Sequence, residues 1–294
     1  MKRDWRLSGL LAGAVCACVL NGAERQVDAT FLHRSLSTVK EIQTDLTTDT
    51  CRYKPLFGEG DGQKSVVVGI ARYGGATLDT HGTCAAVQYS AEDQVYVVLH
   101  GSGTLKYADR TVALQKSDYI YIPATVSHQL SNQSAGPLEV IVMGFRTTGY
   151  EKTPLPREPL KANIEDVSTQ TVSGHPSSTL YRLLLGDIHS KRDRIAAGRA
   201  ITSLFVMEIA PNGTNFPHHH EREEEIYFVM EGHGDMVAGG GIDGIEGRHP
   251  AKVGDAYFFR LNCTVGYYSA ADVPSRILAV RSWYPGMVLE GMEH

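Results

Sequence analysis

Pro217-His218-His219-His220-Glu221-Arg222-Glu223-Glu224-Glu225-Ile226-Tyr227-Phe228-Val229-Met230-Glu231-Gly232 sets three imidazoles and a block of carboxylates directly ahead of an apolar run. On extended backbone successive side chains alternate, so His218 and His220 point to one side and His219 to the other. If Glu225 opens the following strand, Tyr227 and Val229 share its face, while Ile226 and Phe228 take the opposite one. Two imidazoles and a carboxylate converging beside an apolar strand are the materials of a metal site at a barrel wall. The plainer reading is a solvated charged loop leading into an edge strand.

What lies around the stretch decides between them. The run Gln94-Val95-Tyr96-Val97-Val98-Leu99-His100-Gly101-Ser102-Gly103 lines up with Glu225-Ile226-Tyr227-Phe228-Val229-Met230-Glu231-Gly232-His233-Gly234. A second pair aligns residues 115–123 with residues 252–260, each carrying an Asp before an aromatic and aliphatic run. Short β-branched and aromatic runs separated by Gly, Asp, Asn and Ser begin at residues 65–71 and recur through the first half, then return after residue 179. That rhythm predicts an all-β chain of antiparallel sandwiches or barrels. An internal duplication of one small β domain explains the paired landmarks. Residues 150–170, with Pro154, Pro156 and Pro159 among charges, form no apolar pattern at their start and are assigned as a linker between domains at 24–149 and 171–294.

The chain has 294 residues, 42% of them hydrophobic and 21% charged, with a formal net charge of -5, and so belongs among globular proteins. Its balance gives no electrostatic attraction toward nucleic acid or an anionic membrane. Lys2, Arg3 and Arg6 precede an apolar run at residues 7–20, the layout of an export signal occupying residues 1–23. The run is shorter than the roughly 20 residues of a spanning helix. A lipid anchor on Cys18 is the alternative to cleavage and release into the periplasm or medium. Of the remaining cysteines, Cys51 and Cys84 are the pair that an oxidising compartment could join, and Cys263 stands apart.

At these residues the chain resembles the cupin superfamily, and its duplication resembles a bicupin. The family's first motif, G-x5-H-x-H-x3-4-E-x6-G, is met by His218, His220, Glu225 and Gly232, with Gly213 near the leading glycine. The resemblance implies two tandem jelly-roll barrels over roughly residues 60–290, with a divalent Fe, Mn, Ni or Zn ion held in the second by His218, His220 and Glu225. The second motif departs from the family after Gly254, placing Arg260 at its proline and Val265 at its fourth ligand. His249, Tyr267, Tyr268 and Cys263 are the side chains that could replace that ligand. In the first half the ligand positions fall on Val87, Tyr89 and Gln94, leaving His128 alone, as a hydrogen-bonded remnant walled off from the second barrel.

Around the expected ion, Tyr227 is a candidate for substrate contact, and Arg260 for pairing with Glu225 or binding an anionic substrate, or else as a surface arginine. Glu221, Glu223 and Glu224 are assigned to the surface. Residues 187–194, rich in Lys and Arg, are read as a solvated loop, with a basic entrance to the barrel as the alternative. Two functions follow from the resemblance. One is a metal-dependent enzyme acting on a small organic acid, phenolic or sugar-derived substrate by dioxygenase, decarboxylase, lyase or isomerase chemistry. The other is a bicupin that binds a small molecule without turnover. Self-association into a homo-oligomer is left open.

Overall fold

The computed structural model describes residues 31–58, 61, 68–150, 154, 156, 158–240 and 246–285. The expected export signal, and the first three residues of the strand expected at residues 65–71, lie outside the described residues. The strands run in chain order as β1 (Phe31–Ser35), β2 (Cys51–Gly58), β3 (Ile70–Leu78), β4 (Glu92–His100), β5 (Ser102–Tyr107), β6 (Arg110–Gln115), β7 (Asp118–Ile122), β8 (His128–Asn132), β9 (Leu138–Arg146) and β10 (Leu160–Asn163). They continue as β11 (Thr179–Asp187), β12 (Ile195–Gly198), β13 (Ile201–Ile209), β14 (Glu223–Glu231), β15 (His233–Gly240), β16 (Glu246–Lys252), β17 (Asp255–Phe259), β18 (Val265–Ser269) and β19 (Ser275–Trp283).

Each half closes a large sheet against a small one. In the first, a six-stranded sheet ordered β10-β7-β4-β9-β3-β2 faces the three strands β6-β5-β8; in the second, a seven-stranded sheet ordered β1-β17-β14-β19-β13-β11-β12 faces β16-β15-β18. These are two tandem jelly-roll barrels, with no α-helix among the described residues.

The apolar alternation explains why the barrels sit back to back. Tyr96 and Val98 of β4 enter the interior of the first barrel with Leu105, Ile120 and Val140, while Val95 and Val97 point out of it. In β14, Tyr227 and Val229 enter the second interior, and Ile226 and Phe228 point out. The outward sets meet in a third core that joins the two large sheets, so these strands are buried on both faces and read as continuous apolar runs. The two interiors are separate cores.

Carboxylates reinforce the seam. Asp93, buried on β4, is paired by Arg199 of the second half and accepts from the Ala124 backbone N–H at 2.8 Å. Glu224, at the equivalent place on β14 and 0% exposed, accepts from the backbone N–H groups of Val68 and Gly69 at 2.8 Å each. Glu224 is therefore not the surface charge expected from sequence; it joins the two halves. Burial raises its carboxyl to about 7, and the two N–H donors oppose the shift.

Two strands cross the linear division of the chain. β1, which precedes the first barrel, pairs with β17 of the second, from Phe31 opposite Phe259 to Ser35 opposite Asp255. β10, within the segment assigned as linker, pairs with β7 of the first, from Leu160 opposite Tyr121 to Asn163 opposite Asp118. Each covers an edge that would otherwise expose unpaired N–H and C=O groups. Backbone pairing demands little of their side chains, so neither carries an apolar pattern. β2 escapes the alternation because Pro55 interrupts it, and the ladder shifts register between Pro55 and Phe57. The landmark glycines sit where a side chain is excluded: Gly101 and Gly232 have φ of +83° and +79°, and a Cβ would come within 2.5 and 2.4 Å of the carbonyl oxygens of Pro137 and Pro274. Cys51 and Cys84 form a disulfide between the start of β2 and the loop before β4.

Candidate metal centre

The histidine stretch is held against β18 by a backbone bridge in which His218 N donates to Val265 O at 2.9 Å and Val265 N to His218 O at 2.8 Å. With β14 following, His218, His220 and Glu225 converge so that one ligand atom from each lies within 4.8 Å of the others. The rings of His218 and His220 stand edge to face, 5.0 Å apart. His218 Nδ1 donates to Phe216 O at 2.9 Å, the outer bond that commonly orients a metal-binding imidazole and leaves Nε2 for the ion.

The decisive feature lies between His220 and Glu225. His220 Nε2 and Glu225 Oε2 face each other as an ion pair at 3.3 Å, yet their alignment makes no good hydrogen bond, and both atoms are buried with no partner but each other. Leaving such atoms unsatisfied costs about 1–3 kcal/mol each. A divalent cation bound to both would satisfy them, and two imidazoles with a carboxylate are a suitable donor set for one. Burial acts to raise the Glu225 carboxyl, but the charges of His220 and Arg281 outweigh it and hold the group below its ordinary value. Burial acts to lower His220, and Glu225 reverses the sign. His218 is lowered by burial, against the pull of Glu225, which favours the neutral imidazole that a metal requires.

The three residues border a cavity of about 230 Å³ whose wall includes Tyr181, Ser203, Phe205 and Arg281. Arg281 stands opposite both Glu225 and Ser203 across its two neighbouring strands. Its Nη1 donates to Glu223 at 3.2 Å, while its Nε is buried and unpartnered, 4.0 Å from Glu225 Oε1. The hydroxyls of Tyr181 and Ser203 are likewise buried without a partner.

Tyr227 borders this cavity as its position predicts, 1% exposed, with its hydroxyl accepting from Asn215 Nδ2 at 2.9 Å. Arg260 does not line it. It acts on Glu224, which points away from Glu225 across β14, and the arginine beside Glu225 at the cavity is Arg281. Glu223, expected at the surface, is half-buried between His220 and Arg281. His219 stands 3.8 Å from Glu221, apart from the ligand cluster. None of the side chains considered for a fourth ligand joins the cluster. His249 packs on Phe31, the Tyr267 hydroxyl meets Ser275 at 3.1 Å, Tyr268 lies under Arg248, and Cys263 is buried in the core. From the basic loop, Arg192 reaches the cavity wall. His175, unnoticed in the sequence, reaches it from the segment before β11. Arg281 and Ser203 are visible only through strand register.

The first barrel repeats the frame with other contents. Val87 bridges to His128 as His218 bridges to Val265, and Gln94 faces Gly144 as Glu225 faces Arg281. His128 is fully engaged, through Val126 O at 3.0 Å, Gln94 Oε1 at 2.9 Å and the Tyr96 hydroxyl at 3.1 Å, and burial lowers its pKa. Arg72 pairs with Glu92 at 2.7 Å and stacks over Tyr89, at the place that His220 takes in the second barrel. Among the described residues, the His218 cluster is the one group fit for a metal.

The cupin domain matches the chain twice, over residues 77–144 and 205–281. No curated protein matches it in sequence. Among solved structures, a protein of Pseudomonas aeruginosa described as glyoxylate-induced superposes with a TM-score of 0.71 at 14% identity, covering 87% of this chain and 90% of that one. The oxalate decarboxylase of Lactobacillus farciminis, in complex with formate, gives 0.64 at 13% identity over 85% and 86%. That of Bacillus subtilis, with Mn(II) centres, gives 0.62 at 11% over 85% and 76%. These likenesses extend over both barrels, and with the doubled domain match and the repeated strand register they make the chain a bicupin of the cupin superfamily.

Proposed function

We propose that this bicupin is an exported, metal-dependent enzyme acting on a small organic acid in its second barrel. The observation that carries the reading is the buried pair His220 Nε2 and Glu225 Oε2, facing each other at 3.3 Å without a good hydrogen bond, beside a cavity with donors on Tyr181, Ser203 and Arg281 that make no hydrogen bond. His218, His220 and Glu225 would hold Fe, Mn, Ni or Zn, which when bound supplies a Lewis acid toward a substrate oxygen. Arg281 Nε and the two hydroxyls bind the carboxylate, and the barrel walls exclude water. Tyr227, fixed by Asn215, shapes the floor. Similar structures support the ligand class, with formate in one oxalate decarboxylase and Mn(II) in another. The Cys51–Cys84 disulfide supports export into an oxidising compartment.

The test is metal analysis of the purified protein beside His218→Ala and Glu225→Gln, followed by a screen of small acids and phenolics under air and under argon. One ion per chain in the wild type, lost in both variants, with turnover of an acid, is expected; no bound ion in any preparation refutes the reading. Val265 at the family's fourth ligand position favours a second reading, a bicupin that binds its acid without turnover. It predicts metal-dependent affinity with no product.

A further inference from the structure

We propose that the substrate carries a hydroxyl next to its carboxylate, and that His175 is the residue that selects for it. This rests on the metal-dependent reading above and narrows its substrate class.

His175 lies in the segment ahead of β11 and borders the cavity. It stands edge to face with His218 at 5.2 Å and lies 5.3 Å from Tyr181. Its Nδ1 is 2.7 Å from Asn215 O, and a carbonyl oxygen can only accept, so Nδ1 carries the proton. In the neutral ring Nε2 is then an acceptor. His218 is oriented in the same way by the next carbonyl along the chain, Phe216 O at 2.9 Å. His175 nevertheless lies outside the group whose ligand atoms fall within 4.8 Å of one another. It is placed to meet a molecule beside the three ligands instead of joining them.

The buried polar atoms of the wall beside Glu225 that make no hydrogen bond have the opposite character. Arg281 Nε is a donor only, and the Tyr181 and Ser203 hydroxyls each have a donor to give; all are buried without a hydrogen-bond partner, with Ser203 1% and Tyr181 3% exposed and Arg281 Nε 4.0 Å from Glu225 Oε1. Phe205 joins this side of the cavity, its ring 5.7 Å from both the Arg281 guanidinium carbon and the Tyr181 ring. A carboxylate satisfies the three donors but offers nothing to His175. A ligand that meets both the three donors and His175 carries a hydroxyl as well, close enough to the carboxylate to share a cavity of about 230 Å³. A small 2-hydroxy acid meets both demands. A plain acid of the same size leaves His175 without a donor.

Calorimetric titration of the full-length, Mn(II)-loaded protein with glycolate against acetate, and lactate against propionate, tests this. The hydroxy acid is expected to bind more tightly by about tenfold or more, the value of one well-placed hydrogen bond. Because a hydroxyl can also favour the ion directly, the decisive comparison is with His175→Ala. Its preference should fall several-fold while its affinity for acetate and its metal content hold. His175→Gln, whose amide oxygen can accept, should recover part of the preference. An unchanged preference in His175→Ala overturns the assignment, as does equal binding of hydroxylated and plain acids by the loaded wild type. If the metal-free protein binds all four acids as well as the loaded one, or neither form binds any, the metal-dependent reading falls too.

Discussion

Replacing Glu225 with Gln separates a metal centre from a chance cluster. In the wild type Glu225 is 1% exposed, and its Oε2 faces His220 Nε2 at 3.3 Å with no other partner for either atom. An ion that binds only the folded protein adds RT ln(1 + [L]/Kd), about 2.7 kcal/mol at a hundredfold excess over Kd. At about 2–4 °C per kcal/mol for domains of 150–250 residues, that is a rise of roughly 5–10 °C in the melting temperature. Gln keeps the volume and removes the anionic ligand. A hundredfold loss of affinity at the same metal concentration leaves about 0.4 kcal/mol, or roughly 1 °C. The metal-free melting temperature should fall in Glu225→Gln, because Gln preserves the packing but removes the counter-charge of His220 and Arg281, so each protein's metal-induced shift is read against its own chelated form. Calorimetric scans with and without chelator read all four values. Equal metal-induced shifts in the wild type and in Glu225→Gln would refute the reasoning, and so would no shift in the wild type.

Other positions give independent tests. Cys51→Ser/Cys84→Ser opens a loop of 33 residues and should lower stability by about 4 kcal/mol in urea unfolding, with dithiothreitol producing the same loss in the wild type only. Glu224→Ala leaves the N–H groups of Val68 and Gly69 unsatisfied at the seam; a loss of about 2–4 kcal/mol is expected, with faster amide exchange at those two residues. His128→Leu strips Gln94 and Tyr96 of their shared partner and should cost about 1–3 kcal/mol. Its metal content, by elemental analysis, should remain at the wild-type value, since the first barrel holds no ligand set among the described residues.

The glycines at 101 and 232 and the alternation of β4 and β14 were legible in the sequence because a tight turn and a two-sided strand each restrict residue type locally. The same local rule put His218, His220 and Glu225 together: spacing on one bridge and one strand fixes their directions without reference to distant chain. Arg281 was not legible, since it enters the site only as the register partner of Glu225 across β19, and Arg260, nearer to the motif, lies by Glu224 instead. His175 arrives from a turn that has no periodicity, placed by a single bond to Asn215 O. The exchange of β1 and β10 was equally hidden, because an edge strand is recognised by the backbone it pairs with. Sequence by itself thus determined the duplicated barrel and the convergence of His218, His220 and Glu225, which depend on short-range geometry. Tertiary structure alone decided which arginine, hydroxyls and imidazole face the cavity, because those side chains meet only when strands far apart in the chain come into register.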